Sequence, residues 1–139
     1  MVDRALLAAK VAAVRDAVAR VRAILPPDVE RFQADRTARE VVVLNLFVAL
    51  QECLSLATHW LADEGWSVPE NYRDVFQSLG ERDVMPRELA ARLAAASGFR
   101  NLVAHQYGVL DWRRVHEIAS VHVDDLLLFC EALAARASE

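Results

Sequence analysis

Apolar residues recur at spacings of three and four along most of this 139-residue chain, the period of helices buried on one side. From about Asp3 to Leu25, the residues Leu6, Leu7, Val11, Val14, Val18, Val21 and Leu25 make one stripe, and Pro26-Pro27 ends it. A short stretch from Asp28 to Ala34 contains Phe32. The second long segment opens between Asp35 and Thr37, where Thr37-x-x-Glu40 has the form of a capping box. It continues to about Glu64 and stops at Gly65. Val41, Val42, Leu44, Leu46, Phe47, Val48, Leu50, Leu54, Leu56 and Leu61 make it apolar on more than one face. Such a helix is predicted to lie centrally or against a partner subunit. Ser67-x-x-Glu70, with Pro69, predicts the start of a shorter third helix carrying Tyr72, Val75, Phe76 and Leu79 and ending at Gly80. Pro86 opens a fourth, with Leu89, Leu93 and Ala96 on one face, and Gly98 interrupts its pattern. Asp111 is the expected N-cap of the last helix, which reaches about Arg136. Its inward residues are expected to be Val115, Ile118, Val121, Val123, Leu126, Leu127, Phe129 and Leu133. The sum is an all-α, up-and-down four-helix bundle with one extra short helix, a single domain over residues 1–139.

Composition agrees with that pattern and narrows it. Hydrophobic residues make up 55% and charged residues 26%, a balance that favours a packed core over disorder. Four glycines and four prolines are too few for the turns of a many-stranded sandwich or barrel. Cys53 and Cys130 each sit in an apolar stretch and read as buried small hydrophobes, not as a disulfide framework or a zinc site. No secretory signal opens the chain, and the apolar run Val41 to Leu50 is broken by Asn45 and too short to span a membrane. The expected setting is cytoplasmic, with no membrane and no metal.

Charge changes the picture more. The net charge of −4 argues against holding nucleic acid by bulk electrostatics. That total hides a segregation. Residues 1–25 carry five basic against two acidic side chains, and residues 82–114 carry six arginines against three acids. Residues 115–139 hold five acids against Arg136. Solvated helix faces account for most single arginines, but a local anion site is the functional alternative.

The second basic segment surrounds Phe99-Arg100-Asn101-Leu102-Val103-Ala104-His105-Gln106-Tyr107-Gly108, which puts an Arg, an Asn, a His and a Tyr close together. Its residue types suit phosphodiester chemistry. Arginine offers a planar fork of donors matched to phosphate oxygens. Histidine moves a proton near neutral pH. Asparagine orients a hydroxyl or a phosphate. On a helix, Asn101 and His105 share a face, whereas Arg100 and His105 diverge by about 140°. Either the helix ends there, or a second subunit contributes. From spacing alone, a helix-end cap and surface cluster is the commoner meaning of such a group.

The run Arg100-Asn101-x-x-x-His105-x-Tyr107 resembles the signature of HEPN-domain proteins, and more closely that of the HepT-like toxins of type VII toxin–antitoxin systems. Asn45-Leu46, Gln51-Glu52, His59, Pro69, Arg73 to Phe76, Gly98-Phe99, Leu110-Asp111, Asp124 to Leu126 and Phe129 extend the likeness over roughly residues 35–133. The resemblance implies a helical bundle that pairs as a homodimer or higher oligomer, so that two motifs face each other in a cleft. It implies an endoribonuclease that cuts RNA without a metal or cofactor. In it His105 is general acid or base, Arg100 stabilises the scissile phosphate, and Asn101 supports it. It further implies a cognate nucleotidyltransferase antitoxin of the MntA-like kind, which transfers AMP to Tyr107. Two other functions compete: a non-catalytic subunit that binds substrate or partner for a minimal nucleotidyltransferase, and a structural helical oligomer. His59 is expected to be packed or hydrogen-bonded, and Asn45 to sit in an interface or support the cleft. His116 and His122, six apart, do not make a metal site. Trp60, Trp66 and Trp112 are expected as bundle or interface anchors.

Overall fold

The computed structural model describes residues 2–139. They fold as helices α1 (Arg4–Ile24), α2 (Val29–Ala34), α3 (Arg36–Asp63), α4 (Tyr72–Glu81), α5 (Arg87–Gln106), α6 (Trp112–Glu117) and α7 (Asp124–Ala137), with no strand among the described residues. A single 3-10 turn, Tyr107–Val109, follows α5, and a π turn, Ile118–His122, joins α6 to α7. The four long helices close a bundle: α1 packs on α3, α3 on α5, α5 on α7, and α7 back on α1. Arg4 Nη2 donates to the Ala137 carbonyl at 3.2 Å and ties the two ends together. The all-α four-helix bundle expected from the periodicity is the observed fold, with three short helices (α2, α4 and α6) instead of one.

Helix α3 is central, as its many-sided apolar pattern requires. Val42, Leu46, Leu50, Cys53, Leu54, Leu56, Trp60 and Leu61 are all buried. With 28 residues it is long and apolar enough to cross a bilayer, longer than the ten-residue run visible by eye. Half of that apolar window is nevertheless buried within the bundle. Phe76 and Phe129 meet edge to face there, with centroids 5.7 Å apart. The stripe of α1 is inward as expected, through Leu7, Val11, Val14, Val18 and Val21. Cys53 and Cys130 are buried free thiols, and burial pushes the Cys53 thiol well above its ordinary range.

The helix ends correct several expectations. Asp35, not Thr37, caps α3, accepting from the Ala38 amide at 3.0 Å, and Glu40 instead pairs with Arg36. Asn71, not Ser67, caps α4, accepting from the Asp74 amide at 2.9 Å, so Pro69 and Glu70 precede the helix. Gly65 ends α3 as read, at φ +74°, with the Trp66 amide donating to Leu61. Gly98 does not interrupt α5. Asp111 caps α6 as expected. The π turn inserts one extra residue into the last helical stretch and shifts its register. Val121, expected inward, is therefore 62% exposed, while Val115, Val123, Leu126, Phe129 and Leu133 remain buried.

One close approach sets the α4–α5 pair. A β-carbon at Gly80 would lie 2.6 Å from Ala90 Cβ, and neither atom can rotate away. Gly80→Ala is expected to lower stability, because overpacking costs about 1–3 kcal/mol and outweighs the roughly 1 kcal/mol that alanine offers a helix. A thermal midpoint that rises in this variant would contradict the packing.

Candidate active site

All of Arg100 to Gln106 lies on the last turns of one unbroken helix, α5, and Tyr107 opens the 3-10 turn that follows. The helix does not end before His105, so the divergence of about 140° between Arg100 and His105 is real in this chain. Buried residues of α5 stop at Ser97, whose hydroxyl is satisfied by the Ala94 carbonyl at 2.6 Å. Beyond it Phe99, Leu102 and Val103 are half-buried against the core. Asn101, His105, Gln106 and Tyr107 are all exposed.

Arg100 is not a loose surface arginine. Its Nε–H donates to Gln51 Oε1 of α3 at 2.9 Å, and Nη1 donates to Asn101 Oδ1 at 3.2 Å. Its Cζ lies 4.8 Å from the ring centroid of Tyr72, the first residue of α4, and 5.4 Å from that of Phe47 on α3. Phe47 and Gln51 are one helical turn apart and share a face of α3. The guanidinium is therefore held by two helices besides its own. Asn101, accepting through its oxygen, keeps its amide N–H groups for another acceptor. His105 makes no hydrogen bond or ion pair among the described residues.

Tyr107 stands 44% exposed with its ring edge-to-face on Trp112 at 6.0 Å. Trp112 in turn meets Phe32 at 6.1 Å and carries the Arg39 guanidinium over its ring at 5.1 Å. This aromatic stack ties the turn after α5 to α2, α3 and α6. Sequence reading placed Trp112 as an anchor without its partners.

His116 Nε2–H donates to the Pro26 carbonyl at 2.8 Å, and the ring packs on Phe32, a structural role. His122 lies 3.4 Å from Glu117, whose carboxyl is held below its ordinary range by Arg114 first and His122 second. His59 is exposed and makes no hydrogen bond among the described residues, contrary to expectation. Asn45 donates to the Val41 carbonyl of its own helix at 2.8 Å. Trp60 is core, and Trp66 carries Arg82 over its ring at 4.7 Å. No group of side chains that could hold a metal exists among the described residues. An apolar groove of about 340 Å³ runs beside α5 between Phe99, Leu102, Ile118 and Leu126, and none of the four motif side chains lines it. Gln51, Phe47 and Tyr72 are the site residues that sequence reasoning left unassigned.

The four-helix bundle thus presents an anchored arginine, an asparagine and a histidine at one exposed helix end. A family model described as "Ribonuclease HepT-like" matches residues 14–133. The chain belongs to this HepT-like ribonuclease family. It is 25% identical over 126 residues to the mRNA nuclease HepT of Shewanella oneidensis, covering 91% of this chain and 94% of that protein. It is 27% identical over 97 residues to a putative RNase of Archaeoglobus fulgidus, covering 70% and 72%. Among solved structures, the tri-AMPylated HEPN toxin of Shewanella oneidensis in complex with its MNT antitoxin superposes with a TM-score of 0.88. That match has 24% identity and covers 96% of this chain and 99% of the other. A toxin–antitoxin crystal structure with AMP-PNP matches at TM-score 0.88, with 23% identity over 95% and 99% of the two chains.

Proposed function

We propose that this chain is a metal-independent endoribonuclease toxin whose activity is neutralised by AMP transfer to Tyr107 from a cognate nucleotidyltransferase antitoxin. The observation that carries the reading is the anchored fork of Arg100 at an exposed helix end that also bears His105. Family membership supports the ribonuclease part, and the fold shared with toxins solved beside their antitoxins supports the pairing.

The chemistry follows from the groups. One His105 removes the proton of a 2′-hydroxyl, whose oxygen attacks the adjacent phosphorus. The bond to the 5′-oxygen breaks, and that oxygen takes a proton from a second imidazole. The products are a 2′,3′-cyclic phosphate and a free 5′-hydroxyl. Arg100 and the Asn101 amide stabilise the charge that builds on the non-bridging oxygens. No metal is needed for any of these transfers, so a chelator is expected to leave the rate unchanged. The divergence along α5 means that one protomer does not aim Arg100 and His105 at one phosphate, and a homodimer supplies the missing half. Leu44, 60% exposed on the α3 face of Phe47 and Gln51, and Val109, 67% exposed after Tyr107, give pairing an apolar surface to cover.

Adenylylation at the exposed Tyr107 places negative charge and bulk two residues from His105, where it repels RNA phosphate. Tyr107→Phe is expected to retain cleavage and to escape control. Co-expression with the nucleotidyltransferase should add whole AMP units to the wild-type mass and restore growth, and should do neither for the variant. Mass gain that persists in Tyr107→Phe would move the modification elsewhere.

A further inference from the structure

A guanidinium has five N–H donors. In Arg100 the Nε–H is taken by Gln51 and one Nη1–H by Asn101, and the other three have no acceptor among the described residues. We propose that Gln51 and Tyr72 are positioning residues for Arg100, with Gln51 selecting the edge of the fork that meets the RNA phosphate and Tyr72 fixing its plane. This rests on the reading of Arg100 as the phosphate-binding group.

A guanidinium binds phosphate bidentately through either of two edges, the Nη1/Nη2 end or the Nε/Nη side. Gln51 occupies Nε and Asn101 one Nη1–H, so the phosphate is left the other Nη1–H and the two on Nη2. The choice of amide matters. Gln51 is neutral and holds the N–H without offsetting the positive charge that the reaction uses. A carboxylate at the same place would hold the same N–H and weaken that charge. The ring faces of Tyr72 and Phe47, at 4.8 and 5.4 Å from Cζ, attract the cation and limit its rotation. The three contacts come from α3 and α4, so the fork is set by the packing of the bundle and not by α5 alone.

The test is a double-mutant cycle in RNA cleavage with one spectroscopic readout. Gln51→Leu is expected to lower kcat by roughly 10–100-fold with KM little changed, as loss of an orienting partner does. Gln51→Glu, which keeps the shape, is expected to lower kcat and raise KM together. Tyr72→Leu should lower kcat, and Tyr72→Phe should recover most of that loss because the ring face remains. In an Arg100→Ala background, Gln51→Leu should cost nothing further. Multiplicative losses in that background, or wild-type kcat in Gln51→Leu, would overturn the proposal. The Arg100 Hε resonance in a ¹⁵N–¹H spectrum decides the clamp independently of activity. It should exchange slowly with water in the wild type and rapidly in Gln51→Leu, and fast exchange in both would overturn the clamp. A wild type that cleaves no RNA defeats the functional reading, while the Hε signal still tells whether Gln51 holds the fork.

Discussion

Replacing His105 with alanine is expected to lower kcat for RNA cleavage by about 10²–10⁴-fold, the range for removing a general acid–base group. The side chain is exposed at the end of α5 and has no polar partner among the described residues. Its loss should therefore leave the thermal midpoint in place, which separates a chemical effect from unfolding. His105→Gln keeps much of the size and hydrogen bonding but cannot cycle a proton, so it should be as inactive as the alanine variant. If the site is built from two protomers, a mixed dimer of wild type and His105→Ala loses one of its two imidazoles, and its rate should fall as far as the variant's own. Activity in His105→Gln close to wild type would remove His105 from proton transfer.

Arg100→Ala is the second large effect, expected at about 10²–10³-fold in kcat, the cost of losing one group that stabilises developing charge. Arg100→Lys should not restore the rate. A lysine keeps the positive charge, but as a single point it cannot engage Gln51, Asn101 and a phosphate at once. Arg100→Ala also loses the contacts to Tyr72 and Phe47, so a small fall in its thermal midpoint is expected. The cation–π part of it is about 0.5–1 kcal/mol at an exposed site. Full activity in Arg100→Lys would show that charge alone suffices and that the fork geometry is incidental.

Much of this was legible in the chain because it is local. The stripe of α1, the many-sided apolar surface of α3, the stop at Gly65 and the cap at Asp111 are each set by residues a few positions apart. The motif itself is local, on the last turns of α5 and the turn that follows. Two capping boxes were read at Thr37 and Ser67, but Asp35 and Asn71 stand nearer the amides that needed an acceptor and took them. Gly98 looked like a break, yet a glycine within a well-packed helix costs only about 1 kcal/mol, less than the packing of its neighbours returns. The register slip at Val121 comes from a π turn, for which a simple 3.6 periodicity has no signal. The holding of Arg100 was invisible for a different reason. Gln51 is 49 positions away, and only the packing of α3 and α4 against α5 brings it and Tyr72 to the guanidinium. A balance of −4 spread over the surface says little about one arginine whose donors are pointed by its neighbours.

The most direct measurement is cleavage of RNA by the purified chain, shown by intact mass to carry no AMP, in the presence of a chelator. The predicted result is cutting that yields 2′,3′-cyclic phosphate and 5′-hydroxyl ends, that is lost in His105→Ala, and that spares a substrate lacking the 2′-hydroxyl at the scissile position. Intact RNA after incubation with the unmodified wild type, or cleavage unchanged by His105→Ala, would contradict it.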